Sequence, residues 1–259
     1  SLKMACYMAG LRGGFASITT KCWLKLHGFL WQFPKRLSGP FKRAALHRRT
    51  GLRINLGCGD RGCPGFVNVD RRHTSATDVT MDLSRPRFTP GSVRVCFSHA
   101  FLEHLLRNDR LPHLRAIHEA LEPGGVVCYL GIPDFANIAR FYLGRRPGIV
   151  GPVFDLFNVY RYTHGDPESV GWYMAQLHKS LFDYGEVVGL LTAAGFRHFV
   201  VVSYCFGTEK LPVNLGFFAV MGELEQGRDI YRECLTFMGE HAGQVNLGSA
   251  SFFRGAGAC

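Results

Sequence analysis

The first fifty residues contain neither aspartate nor glutamate. An arm with no acidic residue cannot build ion pairs of its own, so its basic side chains need water or an anionic partner. The chain as a whole carries a formal charge of +10, from 30 Lys and Arg against 20 Asp and Glu. Because that excess sits mainly in residues 1–50, it says little about the rest. No C-x-x-C pair occurs among the nine cysteines, and several of them (Cys96, Cys128, Cys205) lie in apolar runs where Cys acts as a small hydrophobe. Disulfides and a metal site are therefore not expected, and a reducing, cytoplasmic compartment is. No run reaches the roughly 18–20 apolar residues of a membrane span. A charged-then-apolar leader is also missing from the first twenty residues. Without an internal repeat or a Ser/Gly- or Pro-rich linker, 259 residues at 47% hydrophobic read as one large α/β domain with additions.

In the acid-free arm, Trp23, Leu26, Leu30 and Phe33 recur at helical spacing opposite Lys21, Lys25 and Gln32, until Pro34 ends the pattern. This helix either packs on the edge of the domain or lies on an anionic membrane surface through residues 21–49. From Gly51 the texture changes. Short apolar strands are expected at 53–56, 65–69, 79–83, 93–98 and 126–132. A helix is expected over 101–121 with an interruption at Pro112, and another over 183–194, stopped by Gly195. Runs at 199–204 and 217–221 follow without a helix between them, which predicts an antiparallel pair. Strands alternating with helices imply a parallel sheet. The arm is residues 1–50, the α/β domain 51–222 with an insert at 135–180, and 223–259 a C-terminal extension with a loose Gly/Ala/Ser-rich end.

The first strand ends at Leu56-Gly57-Cys58-Gly59-Asp60. Glycine there lets a backbone approach a ligand without a side chain in the way. Asp70, at the end of the next strand, faces the same crevice, where its carboxylate can accept from a ribose diol; Asp82, after the third strand, can meet an adenine edge. Ligands of open α/β sheets bind at these carboxyl ends. Gly57 to Gly62 also satisfies G-x-G-x-x-G, the mark of a nicotinamide or flavin dinucleotide enzyme. In that motif a helix follows at once and an acidic residue lies about 20 positions further on. Only Cys63-Pro64-Gly65 separates these glycines from the second strand, so a ligand without phosphates fits better.

The ordered set Ile54-Asn55-Leu56-Gly57-Cys58-Gly59, Pro64-Gly65-Phe66-Val67-Asn68-Val69-Asp70, Met81-Asp82-Leu83, Ser98-His99-Ala100-Phe101-Leu102-Glu103-His104-Leu105 and Leu121-Glu122-Pro123-Gly124-Gly125 continues at His178-Lys179-Ser180-Leu181-Phe182-Asp183 and Ala194-Gly195-Phe196. It resembles the predicted class I S-adenosylmethionine-dependent methyltransferases associated with bacterial surface-polysaccharide biosynthesis, across about residues 51–222. The resemblance implies a Rossmann-like, doubly wound sheet of seven strands, the last antiparallel, and S-adenosylmethionine as cofactor. It places Gly57, Cys58 and Gly59 near the methionine moiety, Asp70 on the ribose and Asp82-Leu83 on the adenine. Ser98 and His99 would line the pocket floor. By the same association the acceptor is a small molecule or saccharide, methylated at oxygen.

Transfer to a hydroxyl needs alignment and a proton acceptor. His99, His104, Asp134 and His178 are the candidates, each with a structural role as the plainer alternative. The stretch 135–180 is long for a connection, which predicts a helical or mixed lid over the acceptor. Its aromatics Tyr160, Tyr162, Trp172 and Tyr173 form either a substrate wall or the insert's own core. A nucleic-acid partner is not expected, since the fourth strand ends in Ser98-His99-Ala100-Phe101 and carries no Asn/Asp-Pro-Pro-aromatic motif. Two other functions remain open: a methyltransferase-like binding protein without turnover, and the NAD(P)-dependent oxidoreductase suggested by the glycines.

Overall fold

The computed structural model describes residues 46, 49–148, 153–165 and 176–241, and the backbone of 245–254. The amphipathic arm helix, Trp172 and Tyr173 lie outside the described residues. Among the described residues, eight strands form one sheet: β1 (Leu52–Leu56), β2 (Val67–Asp70), β3 (Val79–Thr80), β4 (Val93–His99), β5 (Leu121–Pro133), β6 (His198–Phe206), β7 (Asn214–Val220) and β8 (Val245–Arg254). Their order is β3-β2-β1-β4-β5-β7-β6-β8. The first five run parallel. A short connection follows β6, so β7 turns back and lies antiparallel between β5 and β6. The seven expected strands are therefore present, with β7 as the antiparallel one.

Alternation along the strands sends side chains to two cores. Cys96, Val127, Tyr129, Phe217 and Ala219 face one side. There they meet Leu114 and Ile117 of α1 (Arg107–Ala120) and Val187 and Leu191 of α4 (Tyr184–Ala194). Phe97, Val126, Cys128, Phe218 and Val220 face the other, against Cys234 and Met238 of α5 (Ile230–His241). Each fully buried Ile, Leu or Phe contributes about 1.5–3 kcal/mol. Leu46, at the end of the basic arm, belongs to the first core.

Three expectations change. The described residues after 223 hold regular structure: α5 covers the second face, and residues 245–254 pair as β8 with β6. Backbone pairing at an open sheet edge tolerates small residues, which composition alone reads as loose. The helix expected from 101 breaks before α1, at Leu105 and Leu106, whose backbones are extended. Pro112 lies inside α1 without ending it; the one hydrogen bond it forgoes would have reached Asn108 in the helix's first turn. Finally, β5 already starts at Leu121 and passes through Gly124-Gly125 by a register shift against β4. A Cβ on Gly125 would stand 2.8 Å from the Glu122 carbonyl oxygen, so glycine is needed there.

A buried triad joins the two parts of the first core. His113 on α1 donates from Nδ1 to the Leu83 carbonyl at 2.5 Å and accepts at Nε2 from the Tyr129 hydroxyl at 2.7 Å. A carbonyl only accepts, which fixes this tautomer. Burial pushes the His113 imidazole down to about 4. Its folded value is thus depressed below the unfolded 6.5, so its contribution is whole above pH 6.5 and is lost as pH falls towards 4. His113→Gln should be less stable than the parent at pH 7. That deficit should narrow by roughly 3 kcal/mol between pH 6.5 and 4 in denaturant titrations. A deficit independent of pH would show that His113 is not held neutral.

Candidate active site

The carboxyl ends of β1, β2 and β4 meet at the first turn. Gly57 and Gly59 both have positive φ, 67° and 54°. A Cβ on Gly57 would lie 2.6 Å from the Phe101 ring, so this glycine lets the segment after β4 close over the end of β1. A Cβ on Gly59 would meet only the Arg72 guanidinium, at 3.6 Å. From Gly57 to Phe66 the backbone forms turns and no helix.

Asp70 is 7% exposed and already engaged. Its Oδ2 accepts from the Gly59 N–H at 2.8 Å and its Oδ1 from the Arg72 N–H at 2.7 Å. The Arg72 Nε lies 3.8 Å from Oδ1. Each oxygen keeps a second lone pair for a ligand. Two threonines that sequence reasoning passed over complete the frame. The Thr74 hydroxyl donates to the Gly59 carbonyl at 2.6 Å, and the Thr77 hydroxyl donates to the Arg72 carbonyl at 3.0 Å. A T-x-x-T spacing just after an acidic strand end was the available signal. Cys58 is buried beside Thr77, its Sγ 3.8 Å from the hydroxyl. Burial pushes its thiol up to about 11, which keeps it protonated.

Of the other expected cofactor contacts, Asp82 is exposed at the rim and caps its own turn, accepting from the Ser84 N–H and hydroxyl at 3.0 and 2.9 Å. Those donors hold its carboxyl below the usual range. The Leu83 side chain is core, and its carbonyl takes the His113 proton. Ser98 turns inward and donates to the Leu56 carbonyl at 2.8 Å, tying β4 to β1. The His99 ring packs on Phe206, 4.9 Å between centroids. Its Nε2 is buried without a hydrogen-bond partner among the described residues. Burial, then the nearby Arg61 charge, pushes this imidazole down to about 4.

The far side is built by irregular backbone. Ala100 has φ 51°, and the chain turns sharply after β4 into a 3-10 turn, Leu102–His104. A bulge in β5 at Gly131 makes room: a Cβ there would stand 2.9 Å from the Ala100 nitrogen. The Tyr204 hydroxyl takes up the Gly131 N–H at 2.7 Å. Residues 177–180 then run along the 3-10 turn. The Glu103 carbonyl accepts from Lys179 and Ser180 N–H at 2.7 and 3.2 Å, and the Ser180 hydroxyl donates to the Leu105 carbonyl. This lays the His178 ring edge-on to His104, with centroids 5.1 Å apart. Glu103 is 1% exposed. Burial pushes its carboxyl up to about 8, takes His104 down to about 4 and lowers His178. The Arg72 guanidinium lies beside Asp70, and its charge is among those that lower His104.

Asp134 has a plainer place. It is the N-cap of α2 (Phe135–Leu143), its Oδ1 accepting from the Asn137 N–H at 3.2 Å. It also pairs with Phe182 in a short parallel bridge, with the Phe135 N–H donating to the Phe182 carbonyl at 2.8 Å. The two ends of the insert thus close on each other. Its described parts include α2 and α3 (Leu156–His164). Phe154 and Tyr162 pack with Ile138, Leu211 and Val213 in a small core of their own. Tyr162 therefore belongs to that core, whereas Tyr160 is 41% exposed and stacks on His164.

No family model matches the chain, and no curated protein does. Among solved structures it is similar to a SAM-dependent methyltransferase from Thermotoga maritima, at 14% identity and a TM-score of 0.44, over 76% of this chain and 95% of that one. It is also similar to an S-adenosylmethionine-dependent methyltransferase from Mesorhizobium loti, at 19% identity and a TM-score of 0.43, over 71% of this chain and 97% of the other. A third is the Burkholderia thailandensis 1,6-didemethyltoxoflavin-N1-methyltransferase with S-adenosylhomocysteine, at 15% identity and a TM-score of 0.41, over 83% and 93%.

Proposed function

We propose that this chain transfers a methyl group from S-adenosylmethionine to a hydroxyl of a small-molecule or saccharide acceptor. The observation that carries this reading is the Asp70 carboxylate beside the Gly57 and Gly59 turn, with no helix between β1 and β2. A dinucleotide needs a helix N-terminus under its pyrophosphate; this crossover has none, which disfavours the oxidoreductase reading. A ribose diol needs only a carboxylate with spare lone pairs. Asp70 has them, and Gly59 leaves space above the turn.

In this reading Gly57, Cys58 and Gly59 pass beneath the methionine moiety and Asp70 takes the ribose. Asp82 stands at the rim by the adenine, and Leu83 positions that rim through His113. Ser98 holds β1 and β4 in register under the pocket, and His99 closes its floor. His104 and His178 serve the acceptor. Both donate from Nδ1 to a backbone carbonyl, of Leu177 at 3.1 Å and of Tyr162 at 2.7 Å, so each Nε2 keeps its lone pair. An Nε2 of this kind can hold the proton that leaves a hydroxyl as its oxygen takes the methyl. Asp134 is a positioning residue that anchors the insert where β5 ends. The insert covers the acceptor, and its Arg140, Arg145 and Arg146 suit a sugar or anionic ligand. The basic arm, by its composition, suits contact with an anionic membrane surface.

Asp70→Ala, checked for folding, should bind S-adenosylhomocysteine at least tenfold more weakly by calorimetry, because a hydrogen bond to a charged group is worth about 1.5–3 kcal/mol. Unchanged affinity would remove the ribose from Asp70. Asp134 separates the two roles given to carboxylates here. Asp134→Ala should cost about 1 kcal/mol of stability through the lost cap. Asp134→Asn keeps the acceptor oxygen and should recover both stability and turnover. A large loss of turnover in a stable Asp134→Asn protein would make Asp134 the proton acceptor instead.

A further inference from the structure

The geometry points to a divalent transition-metal site formed by Glu103, His104 and His178. One potential ligand atom from each lies within 4.8 Å of the other two, and the Glu103 Oε1 is 3.8 Å from the His104 Nε2. Ligand atoms around a tetrahedral ion at zinc distances are separated by about 3.3 Å. An ion held by all three would draw these atoms together from separations of up to 4.8 Å.

Three further observations favour an ion. The first is tautomeric. His104 and His178 both spend Nδ1–H on a backbone carbonyl, which leaves Nε2 as the free donor atom and fixes the ring, as the outer shell of metal-binding histidines does. The second is an orphan. The Glu103 Oε2 is buried without a hydrogen-bond partner among the described residues, and Oε1 is too far from His104 for a hydrogen bond. A buried carboxyl oxygen without a partner is costly, and a cation supplies what the described residues do not. The third is rigidity. Glu103 receives both Lys179 and Ser180 through its backbone carbonyl, and Ser180 ties back to Leu105, so the two segments are fixed against each other before any ion arrives.

Two imidazoles and one carboxylate select zinc, iron, cobalt or manganese over magnesium, which prefers oxygen ligands and water. Three protein ligands leave positions open on the ion. Vicinal hydroxyls of a saccharide acceptor are oxygen ligands that can fill them. This use of the ion rests on the methyl-transfer reading; its binding does not. With the ion in place, the two Nε2 lone pairs would be committed to it; the ion would lower the proton affinity of a bound hydroxyl, whose proton would pass to solvent water.

The full chain, stripped with a chelator and dialysed, would be titrated with cobalt(II) and with zinc, without cofactor. Uptake of about one equivalent is expected, with a visible cobalt absorption band and a raised thermal midpoint. His178→Ala and Glu103→Gln should each weaken binding at least tenfold, while His118→Ala, away from the cluster, should not; circular dichroism confirms that each variant is folded. Stripped parent protein that takes up neither ion overturns the proposal. So does binding that all three variants retain equally. S-adenosylhomocysteine binding without metal uptake would sink the metal site and leave the methyl-transfer reading intact. Metal uptake without S-adenosylhomocysteine binding would do the reverse.

Discussion

Asp70 holds two loops on one carboxylate, and the geometry of the candidate site follows from that. Gly59 comes from the connection after β1 and Arg72 from the connection after β2, and neither lies in a helix. In the dinucleotide version of this fold a helix N-terminus aligns the amides that face the ligand. Here the chain from Gly57 to Phe66 is too short for one, so the amide of Gly59 needs another partner. Asp70 provides it at 2.8 Å while taking the Arg72 amide at 2.7 Å. Charge-assisted hydrogen bonds of this length are about twice as strong as neutral ones. They place the Arg72 side chain beside Asp70, with its charge felt at His104. Thr74 and Thr77 then fasten the same two loops through their carbonyls. One acidic residue thus does locally what a helix does in the longer crossover.

The parts of this arrangement that could be read in the sequence are those set by neighbours along the chain. A strand that ends in Gly-x-Gly, a second strand that ends in Asp, and Asp183 with Gly195 at the ends of α4 are all local signals. The structure carries each, down to the Asp183 cap on the Glu186 N–H and the left-handed Gly195. Asp134 was also legible, since Asp followed by a helical pattern is an N-cap signature; its place after a strand fits a catalytic carboxylate as well. What could not be read is what the tertiary fold creates. Glu103 and His178 are far apart in sequence, and the bonds between the 3-10 turn and residues 177–180 bring them together. Likewise β8 has no local pattern to announce it: its strand form depends on the free edge of β6, and the edge exists only once the sheet has formed.

Burial sets the electrostatics more than pairing does. For His99, His104 and His178 the largest influence is desolvation, and it favours the neutral ring. Positive charges add to this, Arg61 at His99 and Lys179 with Arg72 at His104. A protonated imidazole there would bring a third positive charge into the neighbourhood of Arg72 and Lys179. Neutral imidazoles instead present lone pairs, which is what a departing proton or a metal ion requires. The same burial pushes the Glu103 carboxyl up to about 8, so it too favours its neutral form.

In the proposed methyl transfer, specificity and chemistry would occupy different layers of the molecule. The sheet ends supply backbone turns and one carboxylate, features that fit any adenosyl ligand. The acceptor side is assembled around a defect: the β5 bulge at Gly131 admits the Ala100 turn, which sets down Glu103 and His104 where His178 can meet them. His178 arrives at the end of an insert whose base is closed by Asp134 and Phe182, and whose small core packs on Leu211 and Val213 between β6 and β7. Changes within α2 and α3 can thus reshape the surface around the acceptor without passing through the sheet. They can still move His178, because its Nδ1 is bonded to the Tyr162 carbonyl of α3. A substitution that shifts α3 would alter chemistry and acceptor choice together, whereas one on the exposed face of α2 would alter acceptor choice alone.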